Sequence, residues 1–243
     1  MRKLLLLIIF GISTVFAATA QDDETFSNEL SWGINFNTNG GLIGGVMIKS
    51  SYSINNKWSQ FGALELVEVK HPKETRFQSR QGEIFVFGKS NYLYVIRPQY
   101  GREYVFFRKA PESGVQVNGI LAAGPSFGLL VPYYIKYDYT DPNGGIIDIR
   151  SEQYDPNVHT DFETRIIGKS SFLTGLGETD FNIGAHLKGG ISFEYGRYNE
   201  GITGVEVGFV IEKFAKELVI IPAAQNRSSY SSVYLTLYYG RRK

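Results

Sequence analysis

The sequence predicts an all-β protein, an eight-stranded antiparallel transmembrane β-barrel with long extracellular loops. Three observations lead there. Apolar and polar residues alternate with period two along most of the chain, the spacing at which successive strand side chains point to opposite faces. Of 243 residues, 27 are Gly, 17 Phe, 16 Tyr and none Cys. Glycine at about 11% exceeds the ordinary share of about 7%. The longest apolar run lies at the extreme N-terminus and falls short of the roughly 20 residues a spanning helix needs. A membrane form must therefore be a closed barrel, the other structure that satisfies every backbone group in hydrocarbon.

The N-terminus comes first. Arg2 and Lys3 precede a uniformly apolar stretch over 4–10, and Ala18-Thr19-Ala20 stands before Gln21. A positive start, an apolar middle and a small-x-small site make a secretory signal. Residues 1–20 read as a signal peptide and residues 21–243 as one barrel domain. Removing Arg2 and Lys3 from the 25 basic residues leaves 23 against 24 acidic ones. That balance offers no field for nucleic acid. The absence of Cys excludes a disulfide scaffold, a thiolate zinc site, a Cys nucleophile and a Cys-linked lipid anchor.

The strands follow in order. Leu30, Trp32, Ile34 and Phe36 oppose Ser31, Gly33 and Asn35. Three less regular strands occupy about 42–54, 58–70 and 81–99. The clearest covers 115–137: its odd positions include Leu121, Phe127 and Leu129, whereas its even positions are small, polar or mixed. At about 3.3 Å per residue it outruns a 9–11-residue bilayer crossing. It therefore either projects beyond the membrane or bends at Gly124-Pro125. Residues 181–196 set Ile183, Leu187, Ile191 and Phe193 against His186, Lys188 and Glu194. Val205, Val207, Phe209 and Ile211 oppose Gly204, Glu206, Gly208 and Glu212, and Val233, Leu235, Leu237 and Tyr239 oppose Tyr234, Thr236 and Tyr238.

The connections alternate in length. Those on the inner side span 55–56, 100–114 and 197–201, and those on the outer side span 38–41, 71–80, 138–180 and 215–229. Short periplasmic turns and longer outer loops mark outer-membrane barrels. The misfit, 100–114, reads as a strand pair extended into the periplasm through Tyr104-Val105-Phe106-Phe107. Asp141-Pro142-Asn143-Gly144-Gly145 signals a turn, and 172–176 and 214–218 are each expected to form one helical turn.

Alternation alone does not say which face is wet. The polar face is rich in Gly, Ser, Asn and Thr, which suits the narrow interior of eight strands. A solvated face would carry many Lys and Glu. The apolar face carries aromatics near segment ends, as membrane girdles do. The greasy side is thus expected to meet lipid; Leu121, Phe127, Leu187 and Phe209 buried in a closed core would reverse this.

The signal with Ala18-Thr19-Ala20, the eight alternating segments and the Tyr-rich strand at 233–240 give a chain that resembles the small eight-stranded outer-membrane β-barrels of Gram-negative bacteria, the OmpA/OmpX type and the PorT-like barrels. Lys70-His71-Pro72-Lys73-Glu74 and Phe87-Gly88-Lys89 are similar to segments of uncharacterised barrels of this kind. The resemblance implies the cell outer membrane as location. The ending Gly240-Arg241-Arg242-Lys243 departs from the family's terminal aromatic and reads as a solvated tail or, equally, as a contact with an inner-side partner or lipid head groups.

The parity aims Lys49, Glu65, Arg97, His186, Lys188, Glu194, Glu206 and Glu212 into the lumen. Buried charges are costly unless paired, so a mutually compensating network is expected, with a proton or ion pathway as the alternative. The function expected is a non-enzymatic scaffold with no cofactor and no metal, presenting loops, chiefly 138–180, on a rigid support. Its partners would be outer-membrane lipid and a protein at the extracellular loops or periplasmic turns. Two other functions stay open. A lipid-modifying hydrolase or acyltransferase would use His71 or His159 with Ser151, Ser170, Ser171 and Asp161, although no G-x-S-x-G elbow occurs. A soluble secreted β-barrel would bind an apolar ligand. Asp138, Asp141 and Asp148 could hold calcium, without EF-hand spacing.

Overall fold

The computed structural model describes residues 28–41, 43–109, 114–141, 143–155, 157–159, 161–195 and 201–242. The signal expected at 1–20, Pro142, the inner turn at 197–200 and Lys243 lie outside them. The strands are β1 (Asn28–Asn37), β2 (Gly45–Ser53), β3 (Trp58–Val69), β4 (Arg76–Gln78), β5 (Ile84–Val86), β6 (Asn91–Phe107) and β7 (Val115–Pro132). They continue with β8 (Tyr134–Asp138), β9 (Ile149–Gln153), β10 (Ile166–Lys169), β11 (Asp180–Tyr195), β12 (Gly201–Leu218) and β13 (Arg227–Arg242).

Eight of these close a barrel in the order β1-β13-β12-β11-β7-β6-β3-β2, every pair antiparallel. Closure is carried by β1, which pairs with β2 on one side (Trp32 opposite Ile48) and β13 on the other (Trp32 opposite Tyr239). No barrel strand is left with an open edge. β1 starts and β13 finishes at the side where β2–β3, β6–β7 and β11–β12 connect, so that side is periplasmic by the rule of short inner turns.

The period-two pattern settles which face meets hydrocarbon. Leu121, Leu187 and Phe209 point outward and are 61%, 52% and 67% exposed, and Phe127 lies on the same face, stacked at 5.7 Å on Phe181. The opposite face buries Lys49, Glu65, Arg97, Lys188, Glu194, Glu206 and Glu212. A greasy exterior around a charged interior is the inverse of a soluble barrel, and hydrocarbon is the medium that wets it. No described helix is long and apolar enough to cross a membrane.

Three of the expected strand limits need correction, and a fourth expectation holds. The segment 81–99 is two elements: β5 pairs with β4 in an outer hairpin, and the barrel strand begins only at Asn91. Gly88, at φ +72°, makes the break between them, a conformation that side chains with a Cβ rarely adopt. Within 100–114 the extended strand pair forms as expected: β6 runs to Phe107 with Tyr104 opposite Gly119. Residues 115–137 neither bend at Gly124-Pro125 nor continue unbroken. The chain leaves the barrel after Pro132, where the Tyr133 amide donates to Ser90 O at 2.8 Å, and β8 starts a separate sheet. Finally, 214–218 is not a helical turn: it belongs to β12, with Phe214 and Leu218 turned inward, which shortens the last outer loop to 219–226.

An outer cap stands on the barrel. Strands β9, β8 and β10 form a three-stranded sheet, beside the two-stranded β4–β5 hairpin. A helical turn, α1 (Phe162–Arg165), precedes β10, with Asp161 accepting from the Thr164 amide at 3.3 Å. The 172–176 turn forms as a 3₁₀ helix over Phe172–Glu178.

Candidate functional site

The barrel interior has two unlike halves. In the outer half, inward positions of β3, β6, β7 and β12 supply Val67, Val69, Leu93, Val95, Leu130, Phe214 and Leu218. Ile220 and Ile221 from the last loop fold down onto them. Together they form an apolar plug.

Below the plug the interior is charged. Arg97 donates to Glu212 through Nε at 2.9 Å and Nη2 at 2.8 Å, and its Nη1 lies 3.8 Å from Glu65. The two-toothed contact uses the planar fork of guanidinium on a carboxylate. Lys188 Nζ bonds Glu65 and lies 3.0 Å from Glu206. Gln99 donates to Glu65 at 3.1 Å, and Tyr234 to Glu206 at 2.8 Å. Lys49 donates to Glu103 at 2.7 Å. Aromatic rings line the cations, with Lys188 Nζ 4.3 Å from the Tyr234 ring centroid and Lys49 Nζ 5.2 Å from that of Tyr238. Glycine makes room for these rings: a Cβ on Gly190 would sit 2.5 Å from the Tyr234 hydroxyl.

At the periplasmic mouth, Glu194 accepts from Lys109 at 2.6 Å and from Arg242 at 2.6 Å, while Arg242 also donates to Glu29 at 2.5 Å. A cavity of about 30 Å³ remains there, lined by residues including Lys49, Glu103 and Glu194. That holds about one water molecule.

All eight expected lumen residues thus face inward and are buried, and the charged ones meet a partner of opposite sign. His186 is placed differently from a charge. Its Nδ1 lies 3.0 Å from Ser126 Oγ, which donates at 2.5 Å to Glu212, so His186 donates to the hydroxyl. Its Nε2 is buried with no hydrogen-bond partner. Ser126, His186 and Glu212 have the residue types of a hydrolytic triad but not its wiring. In a triad the acid orients the imidazole and the imidazole accepts the serine hydrogen bond; here the carboxylate accepts it directly.

Sequence reading missed Glu29, Glu103, Lys109 and Arg242. The signal for two of them was present: Glu103 continues the parity of Arg97 and Gln99, and Arg242 that of Tyr238 and Gly240. The basic terminus, read as a solvated tail or an outside contact, instead sends Arg242 into the barrel.

The outer-loop candidates do not converge. His71 Nε2 lies 3.2 Å from Gln225 O, and His159 Nε2 lies 2.9 Å from Glu152. Ser170 donates to Ser151 at 3.2 Å, with no histidine between them. Asp138, Asp141 and Asp148 are likewise taken separately, by Thr140 N, Asn143 N and Arg150. No group of three metal-ligating side chains occurs among the described residues.

The cap has its own core of Phe85, Tyr133, Ile135, Tyr137, Tyr154 and Ile166. Tyr133 OH accepts from the Val86 amide at 3.0 Å and ties the hairpin to the barrel rim. His159 packs between Tyr137 and Tyr154, with centroids at 4.7 and 5.6 Å. Burial alone would raise the Glu152 carboxyl, but hydrogen bonds from His159 and Tyr139 outweigh it and hold Glu152 below its ordinary value. The same bond to Glu152 pushes Tyr139 up to about 12. Beyond this core, the β8–β9 tip leaves Ile146 and Ile147 91% and 75% exposed.

Fold and interior together define a small transmembrane β-barrel of the outer-membrane type, filled by its own side chains. No protein-family model and no curated protein matches the chain. Among solved structures it is similar to Neisserial surface protein A, at 11% identity and a TM-score of 0.39, over 90% of this chain and 97% of that one. It is also similar to Ail, the attachment invasion locus protein of Yersinia pestis, at 10% identity and a TM-score of 0.39, over 89% of this chain and 97% of that one. The complex of Ail with the heparin analogue sucrose octasulfate gives 11% identity and a TM-score of 0.37, with the same coverage of 89% and 97%.

Proposed function

We propose that this outer-membrane barrel is a non-enzymatic scaffold that holds a folded extracellular surface toward a protein partner. Residues 1–20 act as the export signal and 21–243 as one barrel domain. Lys49, Glu65, Arg97, His186, Lys188, Glu194, Glu206 and Glu212 serve to fill and close the barrel rather than to pass ions.

The observation that supports this best is the cap. A long outer connection with no task is normally loose. This one folds into its own three-stranded sheet, shares a buried aromatic core with the β4–β5 hairpin of the neighbouring connection, carries a polar clamp at Glu152, and uses that order to display Ile146 and Ile147. Exposed apolar side chains on a rigid support are a usual mark of a protein contact.

The test is a photo-crosslinking amino acid placed at Ile147 in intact cells, with one at Leu121 on the lipid face as control. Discrete protein adducts at 147 and none at 121 are the expected result. Adducts absent at 147, or equal at both positions, would overturn the partner-presenting role. Protease added to intact cells should cut within 138–180; cutting there only after lysis would invert the orientation.

A further inference from the structure

We propose that the lipid-facing wall of β6, β7 and β11 holds a glycerophospholipid of the periplasmic leaflet, with its phosphate on Arg102 and an acyl chain in the trough beside it. This site is separate from the cap and does not depend on what the cap binds.

The outward row of β6 reads Tyr100, Arg102, Tyr104 and Phe106 toward the periplasm. Tyr104 pairs with Trp58 across the strands, ring centroids 4.8 Å apart, as part of the inner aromatic girdle. Arg102 is one outward position nearer the bilayer centre than Tyr104 on the same strand. It is exposed and has no ion pair or hydrogen bond among the described residues. Arg241 makes the contrast: it lies on the periplasmic side of the Trp32–Tyr239 pair, at head-group level. A cation on the hydrocarbon side of the girdle is costly unless something anionic meets it.

What adjoins Arg102 fits a lipid. A groove of about 710 Å³ opens on this wall, of a size that holds small ligands (about 300–1,000 Å³). The register explains it. Arg102 pairs with Leu121, and Leu121 with Gly189, while Tyr104 pairs with Gly119 and Tyr100 with Ala123. The tall side chains of β6 thus face low points at Ala123 and Gly189 around Leu121, with Leu187 and Ile191 as the far rim, while the Phe106 ring covers Gly119 and closes the periplasmic end. A Cβ on Gly189 would find nothing nearer than Ile120 O at 3.9 Å, so the trough is open there. Tyr100 OH, donating to Gln60 at 2.9 Å, adds polar atoms beside the cation, because Gln60 pairs with Arg102. A cation and amide at the girdle with an apolar trough running toward the bilayer centre complement a phosphodiester with its chain.

The test uses the mature barrel in neutral detergent and native mass spectrometry. The probes are phosphatidylglycerol, phosphatidylethanolamine and, as the phosphate-free probe, diacylglycerol of the same chains. Both phospholipids should be retained at least tenfold more than diacylglycerol. Arg102→Leu should lower phospholipid retention to the diacylglycerol level. Gly189→Leu, which fills the trough and keeps Arg102, should lower it as well. The heat-shifted electrophoretic mobility of each variant checks that the barrel is closed, and Arg102→Gln serves if Arg102→Leu does not fold. Equal retention of diacylglycerol by the unmodified protein, unchanged phospholipid retention in either variant, or preferential retention of lipid A would overturn the proposal.

Discussion

The two halves of the barrel interior fill the same narrow space by opposite means. The outer half packs Leu93, Val95, Phe214 and Ile220 as a soluble core would. The inner half joins Lys188, Arg97 and Lys49 to carboxylates on strands distant in sequence. The plug gains by removing apolar surface from water, is indifferent to exact register and tolerates rearrangement. The ion pairs return little net stability after desolvation, yet every one demands its partner, since a lone buried charge is far worse than none. The difference teaches that the periplasmic half specifies strand register, while the outer half supplies cohesion beneath the cap.

That contrast can be broken, beginning with the largest effect. Lys188→Met strips Glu65 and Glu206 of their shared cation and should cost about 3–5 kcal/mol, measured by denaturant unfolding in lipid vesicles. A loss under about 1 kcal/mol would mean the charges are not effectively buried. Replacing Glu206 with Leu in the same chain should recover part of that loss, since it removes one of the stranded carboxylates. Leu93→Ala opens a cavity in the plug and should cost about 2–4 kcal/mol, with no rescue from a second polar change. The smallest effect belongs to the cap. Glu152 titrates below its ordinary value in the folded cap, so its contribution is present above the unfolded value and lost as pH falls through the folded one. Protection factors at the Tyr139 and Glu152 amides, taken after correction for the pH dependence of intrinsic exchange, should therefore fall on acidification below about pH 4.5 while those of the barrel amides hold. An equal fall in protection in both regions would mean that cap and barrel open together.

The barrel was largely legible in the sequence. A period-two pattern shows itself residue by residue, and its parity named the outward Leu121 and Phe209 and the inward Glu65 and Glu206. The parts that escaped lie where a strand continues through residues that look like turns. Glu103 stood in a stretch read as a connection, and Arg242 in one read as a tail, because charges suggest solvent unless a partner is known. Their partners, Lys49 and Glu194, are 54 and 48 residues away. The cap was less legible still. Its sheet joins β8 to β9 and β10 and leans on β5, and short strands of this kind carry too few alternations to announce a partner.

The sequence by itself determined the class of structure and which side chains share a face, because both follow from the local geometry of an extended chain. It also determined that one face must be apolar along the whole crossing. Only the tertiary structure decided which carboxylate meets which cation, where the plug ends, and that Arg102 stands on the lipid side above Tyr104 with no ion pair among the described residues. Those outcomes depend on register between strands far apart in the chain, and register is set by closure of the barrel rather than by any segment alone.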